Sequence, residues 1–381
     1  MKVLFLSQGK TIGTHPGYHW SLNQLQHEGI IEDFLNVPFI GYAQQYGWKA
    51  FFNHIVELCR RNHYDIVYFQ HWHGTGAKSA GERDIEYCVG KLHKLHPRPI
   101  ILTSCGDPYS HTFWLPHYPK CFRKMSQLAD ITFSSQMGLA ADKMMSWGVQ
   151  NLVFSPLAAC PVRFKPSPIN IKKHLFDFDL VWIGNRSQAR NPFNRNFFLG
   201  RYRAQITKVL DRVYGQRFGL FGNGWSGLRS WRGQAPFDEQ QSYFQKGRIA
   251  VDARALSFAD YYASDRPFFI AISGIPLVMY RTPRFDRILR ENDQCYFVES
   301  PEETVETCNR LLKCDPEELY AKATQAAYYV AEHHTQYHRL KFNLDTAKRY
   351  RENNNHLDVR FPFFLPEVNV QDETRYAVRK K

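Results

Sequence analysis

The stretch Ser264-Asp265-Arg266-Pro267-Phe268-Phe269-Ile270-Ala271-Ile272-Ser273-Gly274-Ile275-Pro276-Leu277-Val278 reads as a helix start, a short helix, a glycine stop and a buried strand. Ser264 is a capping residue, Asp265 suits the positive end of the helix dipole, and Pro267 fits the first turn. Gly274 is the residue type that ends a helix in the left-handed region. Ile275 to Tyr280 is then an apolar run of strand length. A helix start that also carries an arginine suits a diphosphate.

The same rhythm runs outward in both directions. Upstream, Val3 to Ser7, Tyr64 to Gln70, Pro99 to Ser104, Ile131 to Ser134 and Leu152 to Ser155 read as strands. Helical periodicity separates them at Tyr18 to Glu28, Trp48 to Arg61 and Glu82 to Leu95. The proline-rich segment from Cys160 to Pro168 reads as an interdomain linker. The rhythm restarts with strands at Leu180 to Ile183, Arg217 to Phe221, Ile249 to Asp252 and Cys295 to Val298, and closes on helices from Pro301 to Arg351. Such βα alternation predicts two doubly wound parallel sheets of Rossmann-like type facing a central cleft. The expected division is a first domain over residues 1–160, a second over 161–350, and a tail over 351–381 packing back toward the first.

Composition sets the class. The 381 residues are 44% hydrophobic and 22% charged, as in a globular protein with real cores. The formal charge of +13 suggests a phosphorylated or polyanionic partner: nucleotide, nucleic acid or acidic membrane surface. From Arg186 to Arg254 the chain carries 13 Lys/Arg against four Asp/Glu. The eight cysteines form no C-x-x-C pair, so reduced thiols in the cytoplasm are expected. The longest apolar run, Phe268 to Tyr280, is 13 residues and falls short of the ~18 of a spanning helix. Membrane contact, if any, is expected to be peripheral.

In an open α/β sheet the ligand faces the carboxyl ends of the strands, so the residues just after each strand are the candidates. They are Gly184-Asn185-Arg186 with Arg190, Gly222-Asn223-Gly224-Trp225, Asp252 with Arg254, and Ser264 with Arg266 and Phe268. Glycines let backbone approach a ligand and arginines clamp phosphate oxygens. Trp225 is a candidate to pack on a base or sugar; the competing reading is a core tryptophan. In the first half, loops after strands carry Gln8 to Gly17, His71-Trp72-His73 and Gly106-Asp107-Pro108. Asp107 is the first candidate general base and His73 the second, set against plain roles as a turn cap and a loop histidine. Asp177-Phe178-Asp179 spells D-x-D, but it precedes a strand, and no metal site is expected.

The order G-N-R-x-x-x-R, then G-N-G-W, then S-D-R-P-F-x-x-x-x-S-G-x-P-L-V resembles the nucleotide-sugar domain of GT-B glycosyltransferases. It is most similar to the CgeB-like branch of the group 1 transferases, over roughly residues 175–350. The resemblance implies a GT-B fold, a UDP- or dTDP-sugar donor as co-substrate, and no further cofactor. It implies Arg186, Arg190 and Arg266 at the diphosphate and Trp225 near the base. The chain departs from the pattern at Phe269, where such proteins carry a ribose-binding glutamate, and at Tyr262, where related retaining enzymes carry another. The expected function is metal-independent glycosyl transfer to an acceptor hydroxyl. The acceptor is an envelope or surface glycan or protein, or a hydroxymethylated DNA base. The competing reading is a catalytically degenerate relative that binds glycan or nucleic acid.

Overall fold

The computed structural model describes residues 1–72, 77–106, 109–112, 115–186, 196–252 and 259–357. The chain forms two compact units: residues 1–109, 116–157 and 336–381, and residues 110–115 with 158–335.

The first unit is built on six parallel strands: β1 (Lys2–Ser7), β2 (Asp33–Pro38), β3 (Ile66–Phe69), β4 (Ile100–Cys105), β5 (Ile131–Ser134) and β6 (Leu152–Phe154). Their order is β2-β1-β3-β4-β5-β6, every neighbouring pair parallel. β1, β3, β4 and β5 are buried almost throughout, which is why they read as continuous apolar runs rather than as alternation. Helices α1 (Pro16–His27), α2 (Phe39–Tyr46), α3 (Trp48–Asn62), α4 (Glu82–Leu92), α5 (Lys120–Leu128) and α6 (Leu139–Ser146) connect them.

The second unit has five parallel strands: β7 (Phe178–Ile183), β8 (Phe218–Phe221), β9 (Gly247–Asp252), β10 (Leu277–Tyr280) and β11 (Tyr296–Val298). Their order is β8-β7-β9-β10-β11. Helices α7 (Asn196–Tyr214), α8 (Gln240–Phe244), α9 (Arg266–Ile272), α10 (Pro301–Lys313) and α11 (Pro316–His333) complete it. In both sheets the winding direction reverses beside the first strand, between β1 and β3 and between β7 and β9. Those switch points open a crevice at the carboxyl ends of the strands.

Two expectations need revising. The last long helix, α12 (Gln336–Glu352), lies with the first unit, not the second. Its Leu340, Leu344, Ala347 and Tyr350 join the core that holds Val3, Phe5, Tyr68 and Phe133. Asn343 donates to the buried Tyr68 hydroxyl at 2.7 Å, and Arg351 pairs with Asp65 at 2.8 Å. Leu357 packs on the same core; the rest of the tail, 358–381, lies outside the described residues. Second, the proline-rich segment is part of the second unit's body. Phe164 is buried and lies flat on Phe269, ring centres 4.1 Å apart and 10° from parallel. Ser167 donates to the Ile272 carbonyl at 3.2 Å.

The opening motif folds as its residues dictate. The expected cap shifts by one residue: Asp265, not Ser264, stands at the N-cap of α9, without a side-chain capping bond, and Ser264 Oγ accepts from the Arg266 N–H at 3.4 Å. Gly274 ends it at φ 72°; a Cβ there would stand 2.5 Å from the Ser167 carbonyl oxygen. Glycine is therefore required twice over, by conformation and by space.

Candidate functional site

The second unit's switch point is walled by two glycine turns pressed together. Gly222 sits at φ 127°, and a Cβ on it would lie 2.3 Å from the Gly184 carbonyl oxygen. The turns are laced: Gly184 N–H donates to Phe221 O, Arg186 N–H to Asn223 O, and Asn223 N–H to Asn185 Oδ1, all at 2.8–2.9 Å. Gln234 donates to Asn223 Oδ1 at 2.6 Å, and Arg203 to Asn185 O at 3.0 Å. Two indoles fix the peptide planes from behind. Trp225 Nε1 donates to Gly184 O at 2.7 Å and Trp231 Nε1 to Gly222 O at 2.8 Å.

A cavity of about 350 Å³ opens in front of these turns. On one part of its wall stand Gly184, Asn185, Gly222, Asn223, Arg203 and Arg266. The Arg266 guanidinium pairs with Asp252 at 2.7 Å, both side chains largely buried. Burial opposes the Arg266 charge, but the Asp252 carboxylate and its hydrogen bond outweigh that and hold the pKa above its ordinary value. The pair fixes the guanidinium's direction while offsetting much of its charge. The lining also holds Phe237 and Phe269 with Gln234 and Gln240, the apolar Ile183 and Ala235, and one carboxylate, Asp265. Phe269 follows Arg266 by one helical turn, so the cationic and aromatic groups share one face of α9.

Of the residues singled out in the sequence, Gly184, Asn185, Gly222, Asn223 and Arg266 line this cavity. Arg186 lies beside it, exposed, over the Trp225 ring at 5.8 Å. Asp252 acts through Arg266, and Ser264 through the start of α9; Gly224 takes φ 87° and shapes the second turn. Trp225 is 1% exposed, packs edge-on against Trp182 at 5.2 Å and donates to the Gly184 carbonyl, the placement of a core tryptophan. Phe268 is likewise internal, fully buried and stacked on His334 at 5.3 Å. Arg190, Arg254, Asp107 and His73 lie outside the described residues. The sequence reading missed Arg203, Gln234, Phe237 and Gln240, which reach the cavity from a mid-helix position and from a turn with no local motif.

The first unit's switch point is arranged otherwise. Gln8 N–H donates across it to Gln70 Oε1 at 2.8 Å. His71, in the turn two residues past β3, takes φ 49°, a costly conformation for a non-glycine residue. It is held there by its N–H on Ser104 Oγ at 2.8 Å and by the Tyr18 hydroxyl 3.3 Å from Nε2. Gly106 leaves room for the ring: a Cβ there would come within 2.9 Å of it. A wider cavity, about 660 Å³, is lined by Gln8, Gly9, Lys10, Thr14, His15, Ile40 and Gln44.

Part of the basic segment is committed internally. Arg217 and Arg248 flank Asp179, and Arg229 reaches Asp211. Arg232 donates to the carbonyls of Arg229, Trp231 and Gln216. Asp179, half of the D-x-D pair, is thus an ion-pair partner at the opening of β7. Among the described residues no three or more His, Cys, Asp or Glu side chains gather as metal ligands. Nor is any described helix long and apolar enough to cross a membrane.

Residues 201–345 match a family described as glycosyl transferase-like. Comparison with curated proteins by sequence finds no match. Similar solved structures include HepE of Anabaena in complex with UDP and glucose: 12% identity, 94% of this chain and 100% of that one, TM-score 0.52. An alpha-glucosyltransferase in complex with UDP and a 13-mer DNA containing an HMU base has 11% identity, 91% and 99% coverage, and TM-score 0.62. A glycosyltransferase from Rickettsia africae has 10% identity, 92% and 99% coverage, and TM-score 0.59. The chain therefore has the GT-B fold of these glycosyltransferases, and over residues 201–345 it matches the glycosyl transferase-like family.

Proposed function

We propose that this protein transfers a sugar from a nucleoside-diphosphate sugar, a UDP-sugar first, to an acceptor hydroxyl. The observation that carries the reading is the cavity at the β7–β9 switch point, where directed arginines and bare glycine peptides share a wall with exposed aromatic surface. UDP and UDP-glucose in the neighbouring structures support the choice of nucleotide. As the glycosidic bond breaks, the leaving diphosphate gains charge. Arg266, Arg203 and Arg186, with Arg190 as a further candidate, would bind that charge more strongly than the intact donor. No metal is required for this, so a chelator should leave turnover unchanged. Asp107 and His73 are the candidates to take the acceptor proton; Asp107→Asn should abolish transfer and spare donor binding.

For the acceptor, a hydroxyl of an envelope or surface glycan or protein comes first. A hydroxymethylated DNA base is the second reading, favoured by the net charge of +13 and by the DNA-bound neighbour. It would require the base to leave the stack. Against it, Arg217, Arg229 and Arg248 of the basic segment are engaged in internal ion pairs. The eight cysteines are all free, seven of them buried, which agrees with reduced thiols in a cytoplasmic setting. Any membrane contact would be peripheral. The test is a panel of nucleotide sugars scored by melting temperature and by nucleotide release. A UDP-sugar that raises the melting temperature and is turned over supports the reading; a panel without response overturns the enzyme and leaves a binding protein. For DNA, affinity for a hydroxymethylated duplex must fall steeply with salt.

A further inference from the structure

Phe237 is held with unusual care for an exposed phenylalanine. It lines the cavity yet stays 45% exposed, in the short turn Phe237–Glu239 just before α8. The Arg163 guanidinium covers one side of the ring, 4.6 Å from its centre, and Asp238 holds Arg163 Nε at 2.5 Å. The ring meets Phe269 edge-on at 6.1 Å, and Phe269 is backed in turn by Phe164. Lys165 and Gln241 exchange two hydrogen bonds, 3.1 and 2.6 Å, and fasten the segments that carry Arg163 and Phe237 to each other. Leaving a phenyl face in water gains nothing for the fold. A cation behind one face of an aromatic ring withdraws electron density and favours a flat π-system on the other.

We propose that Phe237 is the stacking seat of the donor's nucleobase, and that Arg163 with Asp238 is the brace that sets it. Trp225, buried behind Gly184, has no part in it. This rests on the nucleotide-sugar reading. Base recognition then comes from a turn and from the proline-rich segment, while the phosphates are met at Arg266, one helical turn from the Phe269 that Phe237 meets edge-on.

The test is titration calorimetry of the full chain with UDP and, separately, with inorganic pyrophosphate. Phe237→Ala should weaken UDP about tenfold and leave pyrophosphate within about twofold, with an unchanged melting temperature. Phe237→Tyr and Phe237→Trp should restore UDP binding. Arg163→Gln should weaken UDP about threefold in the same selective way. The proposal is overturned if Phe237→Ala binds UDP as the parent does, or loses UDP and pyrophosphate equally. If the parent binds neither, the nucleotide reading falls and the seat with it; pyrophosphate binding without UDP preference would sink the seat alone.

Discussion

The two switch points are made from one plan and filled in opposite ways. Between β7 and β9 the wall is small residues pressed close, laced amides and an arginine already paired, around about 350 Å³. Between β1 and β3 a single glutamine bridge spans the sheet ends beside a cavity of about 660 Å³ with Lys10 and His15 on its rim. In the first pocket Asn185, Arg203, Gln234 and Arg266 are each oriented by a hydrogen bond, as a site for a fixed, repeated ligand part requires. The second is wider and looser.

Cutting the charge balance should break the comparison most sharply. Asp252→Ala leaves Arg266 an uncompensated, largely buried charge, at a cost of about 3 kcal/mol in denaturant unfolding. Pyrophosphate should then raise the melting temperature of the variant more than that of the parent, because it neutralises the orphaned guanidinium. Equal shifts would mean that Arg266 does not face the phosphates. A smaller effect, about 2 kcal/mol with loss of UDP binding, is expected for Gly222→Ala, whose Cβ has no space and no favourable φ. Gly227→Ala, with nothing within 4 Å, is the control and should stay within about 0.5 kcal/mol. If both behave alike, the close approach of the turns is not what shapes the pocket.

The least effect is expected in the first unit, at Asp65. Burial there pushes its pKa up, but the Lys2 N–H and the Arg351 guanidinium win and hold it below the usual carboxylate value. A depressed folded-state pKa gives stability that is present above the unfolded pKa and lost as the pH falls through the folded one. Asp65→Asn should therefore flatten the acid limb below about pH 4. At neutral pH the loss should be at most about 1 kcal/mol, since the pair is part-exposed. UDP binding should not change; a change would show that the two units are energetically coupled.

The strands were legible because buried parallel strands leave a plain trace, as at Ile66–Phe69 and Leu180 to Ile183. The glycine turns were legible too, since a need for φ above zero or for close approach is written locally at Gly184, Gly222 and Gly274. What stayed hidden depends on distance in the chain. Phe237 matters only because Arg163 stands behind it, and Arg203 only because α7 brings it to Asn185. Trp225 looked like a ligand contact because nothing local reveals that Trp182 and Gly184 enclose it. The apolar stripe of α12 says that the helix packs, not on which core.

That helix has a consequence for synthesis. The second unit is drawn almost wholly from one continuous piece, 158–335, and is complete once Thr335 has emerged. The first unit starts ahead of it in the chain but lacks Leu340, Leu344, Ala347 and Tyr350 until residues beyond the second unit have been made. Of the two units, the one begun earlier is completed later, and in the interval its sheet carries an apolar face still waiting for its cover.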